Sequence, residues 1–293
     1  MATSEITPEL LKPLLPERPR DGHKGTFGHL FAIAGSRGFT GAAKLMGEAA
    51  GRSGVGLVTL GVPASLGDVV AGDLREVMTM LLPATPAESI ATEAVDAAVA
   101  YSEGKTAVAL GPGLSQHPET VAFVLAFVER CPVPMVNDAD GLNALSTDVS
   151  VLTRAAQPCV LTPHPGEMAR LCGVSTSDVQ AERAGAASGL AEGYGCVVVL
   201  KGADTVVAGP AGERFVNRTG NSGMATGGTG DVLTGVIGGL MAQGMSGLDA
   251  ACAGVFLHGL AGDRAAEAHS ERGLIASDVI AALPDAWRAL ERI

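Results

Sequence analysis

The chain has 293 residues, 47% of them hydrophobic and 17% charged, so it can bury a substantial core and is not extensively disordered. Its formal charge is −11, with 20 basic residues against 31 acidic ones, which leaves no basic footprint for a nucleic acid. Five scattered cysteines without a CxxC pair argue for reduced, mostly buried thiols and against a disulfide framework or zinc site.

Residues 1–20 carry Pro8, Pro13, Pro16 and Pro19 and read as an N-terminal arm, partly helical from Glu9 to Leu15. The arm has no apolar signal-peptide core, and a cytoplasmic protein is expected. From residue 21 to 293 the composition is uniform, which predicts one domain without linkers or repeats. Short continuous apolar runs predict strands at His29–Ala34, Gly56–Val62, Thr106–Leu110, Pro134–Asn137, Cys159–Thr162 and Cys196–Leu200. Alanine-rich segments between them predict helices at Gly41–Ser53, Ala87–Tyr101, Pro118–Glu129 and Ser177–Glu192. Strand alternating with helix predicts a mainly parallel sheet covered on both faces.

Thr205–Ala208 and Arg214–Asn217 flank a Gly-Pro-Ala-Gly turn and predict an antiparallel hairpin at the sheet edge. Three helices should follow, Asp231–Gln243, Leu248–His269 and Ser277–Glu291, with Asp231 and Ser277 as caps. The uncharged stretch Val232–Leu248 is short for a membrane span and holds five glycines, so a buried helix and turn are expected there. Small residues from Ala250 to Leu260 could pack a second subunit, and a homo-oligomer is expected.

The most informative segment is Gly220-Asn-Ser-Gly-Met-Ala-Thr-Gly-Gly-Thr-Gly-Asp231, running into Val232-Leu-Thr-Gly235. A glycine-rich loop at a helix start offers free N–H groups and the positive helix end to an anion. Asp231 could simply cap that helix, or act as a base beside an anion hole. Other segments lie at predicted strand ends, where an open α/β sheet binds its ligands. They are Ala34–Ala43, Gly111-Pro-Gly-Leu114, Asn137–Asn143, Thr162-Pro-His-Pro-Gly-Glu167 and Lys201-Gly-Ala-Asp-Thr205. Taken singly, each of these could be a turn, a cap or a salt bridge. His23-Lys-Gly-Thr-Phe-Gly28 precedes the first of the main strands.

These blocks, in this order over residues 23–235, resemble the NAD(P)H-hydrate dehydratases of the ribokinase-like superfamily. Ser222 stands where the family block has proline, and Ser115 replaces the last glycine of its GPGLG. The resemblance implies a three-layer α/β/α ribokinase-like domain without a separate lid. It implies repair of hydrated NADH and NADPH, with ADP or ATP as phosphate donor, Mg2+ as cofactor, and an epimerase on a separate protein in the same pathway. In that reading Asp231 takes the hydroxyl proton, and Gly227, Gly228, Thr229 and Gly230 bind the transferring phosphoryl group. Lys201, Gly202, Ala203, Asp204, Thr205 and Gly230 hold the nucleotide, while Ala42, Gly113, His164 and Asp231 contact the hydrate. Asp138 and Glu167 are the candidate metal neighbours, with Asp140 an alternative to Asp138 in steering substrate or metal. Two other readings share parts of this pattern: a small-molecule kinase like hydroxyethylthiazole kinase, and a nucleotide sensor without turnover.

Overall fold

The computed structural model describes residues 3–292. Ten strands form one sheet: β1 (Ser4–Glu5), β2 (His29–Ile33), β3 (Leu57–Pro63), β4 (Met78–Leu82), β5 (Ala107–Leu110), β6 (Met135–Asn137), β7 (Cys159–Leu161), β8 (Val197–Leu200), β9 (Thr205–Ala208) and β10 (Arg214–Asn217). Their spatial order is β1-β10-β9-β8-β7-β6-β5-β2-β3-β4. Only β9 runs against the others, so the expected hairpin is present within a mainly parallel sheet. The N-terminal arm lies on that sheet: β1 pairs with β10, and Leu11 of the short helix Pro8–Leu11 is fully buried. Two strands had no sequence expectation. The first is β1, which has only two residues, and the second is β4, an apolar edge strand that is only partly buried.

Successive side chains of each strand point to opposite faces, and both faces are apolar. Leu30 and Ala32 of β2 join a core with the helices Thr40–Arg52, Thr229–Ala242, Gly247–Gly273 and Ala276–Arg292. Phe31 and Ile33 of the same strand join a second core with the helices Ala94–Ser102, Pro118–Arg130, Asp140–Leu145, Pro165–Cys172, Thr176–Ala181 and Arg183–Tyr194. The result is the three-layer sandwich that the alternation of strand and helix predicts.

Several expectations need correction. The segment expected to be helical from Ala87 starts as a helix only at Ala94. Before it, Ala84 bridges to Ile90, and Glu88 adopts φ 58°. Ser177–Glu192 is two helices broken at Glu182. Asp231 does not cap its helix: the helix starts at Thr229, Gly228 is the cap with φ 94°, and Asp231 sits inside the first turn. Ser277 also lies inside its helix, while Asp278 accepts the Ile275 N–H at 3.0 Å. The surface expected to meet a second subunit is spent within the chain, because Ala250 through Leu257 are buried against the other helices of their layer.

Among the described residues no helix is long and apolar enough to cross a membrane. Four of the five glycines of Val232–Leu248 have a packing reason, and the fifth, Gly244, adopts φ 94°. A Cβ on Gly235 would stand 2.3 Å from the Met46 carbonyl oxygen, so the helices Thr229–Ala242 and Thr40–Arg52 touch backbone to backbone. Gly235→Ala gains about 1 kcal/mol of helix propensity but meets unyielding backbone. Overpacking of this kind costs about 1–3 kcal/mol, so the variant should melt below the wild type in a thermal scan.

Candidate active site

The strand order reverses between β2 and β5, since the chain builds outward from β2 towards β4 and from β5 towards β8. An open α/β sheet has its ligand crevice at the carboxyl ends of the strands beside that reversal. The loops after β2 and β5 meet there. Gly35 N–H donates to the Pro112 carbonyl at 2.9 Å, and the Ser36 hydroxyl donates to the Gly113 carbonyl at 2.8 Å. A Cβ on Gly113 would lie 3.1 Å from that of Ala42 and 2.8 Å from that of Phe39. Ala42 and Gly113, expected on one substrate wall, are therefore neighbours.

Gly111 closes the next gap: a Cβ there would lie 1.9 Å from the Asp138 carbonyl oxygen. This contact brings in the loop after β6. Asp138 is buried and accepts from Lys201 Nζ at 2.6 Å and from the Thr234 hydroxyl at 2.8 Å. Asp140 accepts from Ser115 N–H at 2.9 Å. Between these two aspartates Ala139 holds φ 49°, ψ −118°, strained for a residue with a side chain. Ser115 adopts φ 80°, so glycine would suit that position better. The serine instead places its own N–H on Asp140 and accepts from His117 N–H.

His164 sits where the rigid Pro-His-Pro loop opens the helix Pro165–Cys172. Its Nδ1 accepts from the N–H groups of Gly166 (2.9 Å) and Glu167 (3.3 Å), and Glu167 accepts from His164 N–H at 2.8 Å. This reciprocal cap fixes the imidazole with Nδ1 unprotonated, and its Nε2 lies 3.4 Å from Glu167 Oε1. Burial, with Lys201 and Arg170 nearby, pushes its pKa down, so the ring is neutral.

Asp138, Glu167 and Asp231 act on one ammonium, Lys201, which lies 3.9 Å from Glu167, and Asp140 acts on Asp231. Burial alone would discharge Lys201, but Asp138, Glu167 and Asp231 outweigh it and raise its pKa. Burial raises Glu167. Asp231 is raised to about 7, first by burial and then by Asp138, against the opposing pull of Lys201. A carboxyl with that pKa can accept a proton near neutrality.

Gly227, Gly228, Thr229 and Gly230 turn into the helix that carries Asp231. The first turn of a helix leaves N–H groups without intrahelical acceptors, here those of Thr229, Gly230 and Asp231. The Thr229 hydroxyl is committed to the loop, donating to the Met224 and Thr226 carbonyls at 2.8 and 3.0 Å, so its backbone and not its side chain is free for an anion. The loop is tied down by Asp263, which accepts from Gly220 N–H and Asn221 Nδ2, both at 3.0 Å. Ser222, in place of the family proline, donates to Glu271.

A cavity of about 580 Å³ opens on the far side of Lys201. Lys201, Gly202, Ala203, Asp204, Thr205 and Gly230, the expected nucleotide residues, all line it. Ala42, Gly113 and His164, the expected hydrate contacts, are not among its lining residues. Sequence reasoning missed Asn217, Arg218 and His258 in that cavity. The first two end β10 just before the glycine block, a strand-end signal that could have been read. His258 is hidden in a long helix. The His23–Gly28 block lies at the opposite edge of the sheet. A Cβ on Gly28, just before β2, would stand 1.7 Å from the carbonyl oxygen of Ala242 at the far end of its helix, so this block serves packing.

Magnesium fits this site in a limited way. The donors are hard carboxylate oxygens in excess over cations, as the raised Asp231 shows. Yet Asp138 has both oxygens engaged, and no group of three or more His, Cys, Asp or Glu side chains among the described residues could hold a metal. The ion would take its remaining ligands from phosphate and water, as magnesium commonly does.

The sequence model of the NAD(P)H-hydrate dehydratases matches residues 30–285. The chain belongs to this family. It is 46% identical over 286 residues to a bifunctional NAD(P)H-hydrate repair enzyme of Moorella thermoacetica, covering 98% of this chain and 54% of the relative. The chain thus spans about half the length of that relative. It is 41% identical to the ADP-dependent (S)-NAD(P)H-hydrate dehydratase of Neisseria meningitidis, covering 89% of this chain and 86% of the relative. The crystal structure of the ADP/ATP-dependent NAD(P)H-hydrate dehydratase of Bacillus subtilis, co-crystallised with ATP/Mg2+, superimposes with a TM-score of 0.84 at 31% identity, over 99% of both chains. The three-layer fold is the ribokinase-like one.

The raised pKa of Asp231 has a consequence for stability. The folded protein holds this proton more tightly than the unfolded chain, so the stability it contributes is full below about pH 4, falls as pH rises, and is lost by about pH 7. Asp231→Asn should therefore raise the melting temperature at pH 8, with the gap closing as pH falls towards 4. Melting curves of the two proteins across this range check it; an equal gap at both ends contradicts it.

Proposed function

We propose that this chain catalyses the ADP- or ATP-dependent dehydration of (S)-NADHX and (S)-NADPHX to NADH and NADPH. The observation that carries the reading is the Asp231 carboxyl, raised to about 7 in the first turn of the helix whose N–H groups form the anion hole. Its neighbour Gly230 lines the cavity and lies beside Lys201 and Asp138.

In this mechanism the cavity beside Lys201–Thr205 holds the nucleotide and points its terminal phosphate at the glycine loop. Lys201 neutralises phosphate charge as a point cation. Ala42, Gly113 and His164 hold the hydrated ring with its hydroxyl towards Asp231. The hydroxyl proton passes to Asp231 as the oxygen bonds to the terminal phosphorus, and the bond to the leaving nucleotide breaks. The N–H groups of Gly227 to Gly230 stabilise the charge on the transferring group. Phosphate then departs from the ring carbon, driven by the ring-nitrogen electron pair, and the adjacent carbon loses a proton to restore the double bond. Phosphate leaves far more readily than hydroxide, which is what the nucleotide supplies. Magnesium, with Asp138 and Glu167 as neighbours through its water shell, offsets phosphate charge. The other hydrate epimer needs an epimerase acting in the same pathway.

The test is the near-ultraviolet absorbance of NADH on adding the protein, magnesium and ADP or ATP to hydrated NADH. A nucleotide-dependent rise is expected, and Asp231→Asn should slow it by roughly 10²–10⁴-fold while still binding nucleotide. Absence of any rise with either nucleotide, from folded wild type, overturns the proposal.

A further inference from the structure

Phe39 is the one aromatic among the large apolar side chains that the described residues leave exposed, at 58%. It ends the loop after β2 and immediately precedes the helix Thr40–Arg52, at the point where the sheet order reverses. Its backbone is closely engaged. Its N–H donates to the Ser36 carbonyl at 2.9 Å, its carbonyl accepts from Ala42 N–H at 3.3 Å, and its Cβ touches the Gly113 position. The ring beyond that fixed base is largely uncovered. Neither Gly38 nor Gly41 has any atom within 4 Å of where a side chain would start, so the loop around the ring faces open space.

Leu45, six residues along the same helix, abuts the anion loop: a Cβ on Gly228 would stand 2.6 Å from its Cδ1. Six residues of helix rise roughly 9 Å. An aromatic face thus stands on the Ala42–Gly113 wall, about a dinucleotide fragment's length from the phosphoryl site. An exposed phenylalanine loses favourable burial in water, and one held on a rigid backbone is already oriented for stacking.

We infer that Phe39 is a substrate-binding residue, whose ring packs face-on against a ring of the hydrated dinucleotide. The inference rests on the dehydratase reading for the identity of the dinucleotide. That ring is either adenine, a flat heteroaromatic surface, or the partly saturated nicotinamide-derived ring, and either contact is lost with the phenyl group.

The test is equilibrium binding of NADH, the expected product, to the wild type, Phe39→Ala and Phe39→Tyr, followed by NADH fluorescence. Phe39→Ala keeps the Cβ that meets Gly113 and removes only the exposed ring, so the fold is retained. Binding about tenfold weaker in Phe39→Ala, restored in Phe39→Tyr, is expected for one aromatic stack. Equal binding by wild type and Phe39→Ala overturns the assignment. Reduced nicotinamide mononucleotide separates the two sources. A loss shared by the mononucleotide places Phe39 on the nicotinamide ring, and a loss confined to the dinucleotide places it on adenine. The binding readout does not depend on turnover. A wild type that binds NADH through Phe39 but never dehydrates the hydrate would sink the functional reading alone.

Discussion

Three carboxyl groups around one ammonium, with a fourth acting on Asp231, set the character of this site. Lys201 lies against Asp138 at 2.6 Å and within 3.9 Å of Glu167, while Asp231 and Asp140 add further negative charge. One cation cannot balance four anions in a half-buried place, so one acid must hold its proton more tightly. Asp138 accepts from two donors, Lys201 and Thr234. Asp231 has burial against it and faces those anions, and it is the group whose pKa moves furthest, to about 7. The base is thus produced first by burial and then by the neighbouring acids, and that arrangement is held by strand ends that no single loop could position.

The fold serves that arrangement by bringing strand-end loops together with glycines at their closest approaches. Gly111 lets the loop after β5 touch Asp138, Gly113 lets it touch Ala42, and Gly235 lets the helix behind Asp231 press on the helix that carries Ala42. The raised pKa of Asp231 costs stability progressively as pH rises to about 7. The two apolar cores on either face of the sheet carry that cost.

Much of this was legible in the sequence because it is local. The glycine loop, the Pro-His-Pro turn and the apolar strand runs each declare themselves within about ten residues. The antiparallel hairpin was visible for the same reason. The hidden parts depend on pairing between distant segments. The two-residue β1 exists only because β10 offers a partner, and His258 reaches the cavity only through the packing of a long helix. Asp231 reads as a cap from its place beside glycines, but Gly228 takes that position through its left-handed backbone, which frees the carboxyl. The His23–Gly28 block shows the converse: its small and polar residues look like a ligand turn, yet they lie at the edge of the sheet away from the site.

The most direct test of the central claim is the titration of the Asp231 carboxyl itself, followed by carbon NMR of aspartate-labelled protein and assigned by comparison with Asp231→Asn. The account predicts a midpoint near pH 7 in the protein without nucleotide. A midpoint in the ordinary aspartate range, around pH 4, would contradict it: the crowded carboxylates would then not be tuning Asp231.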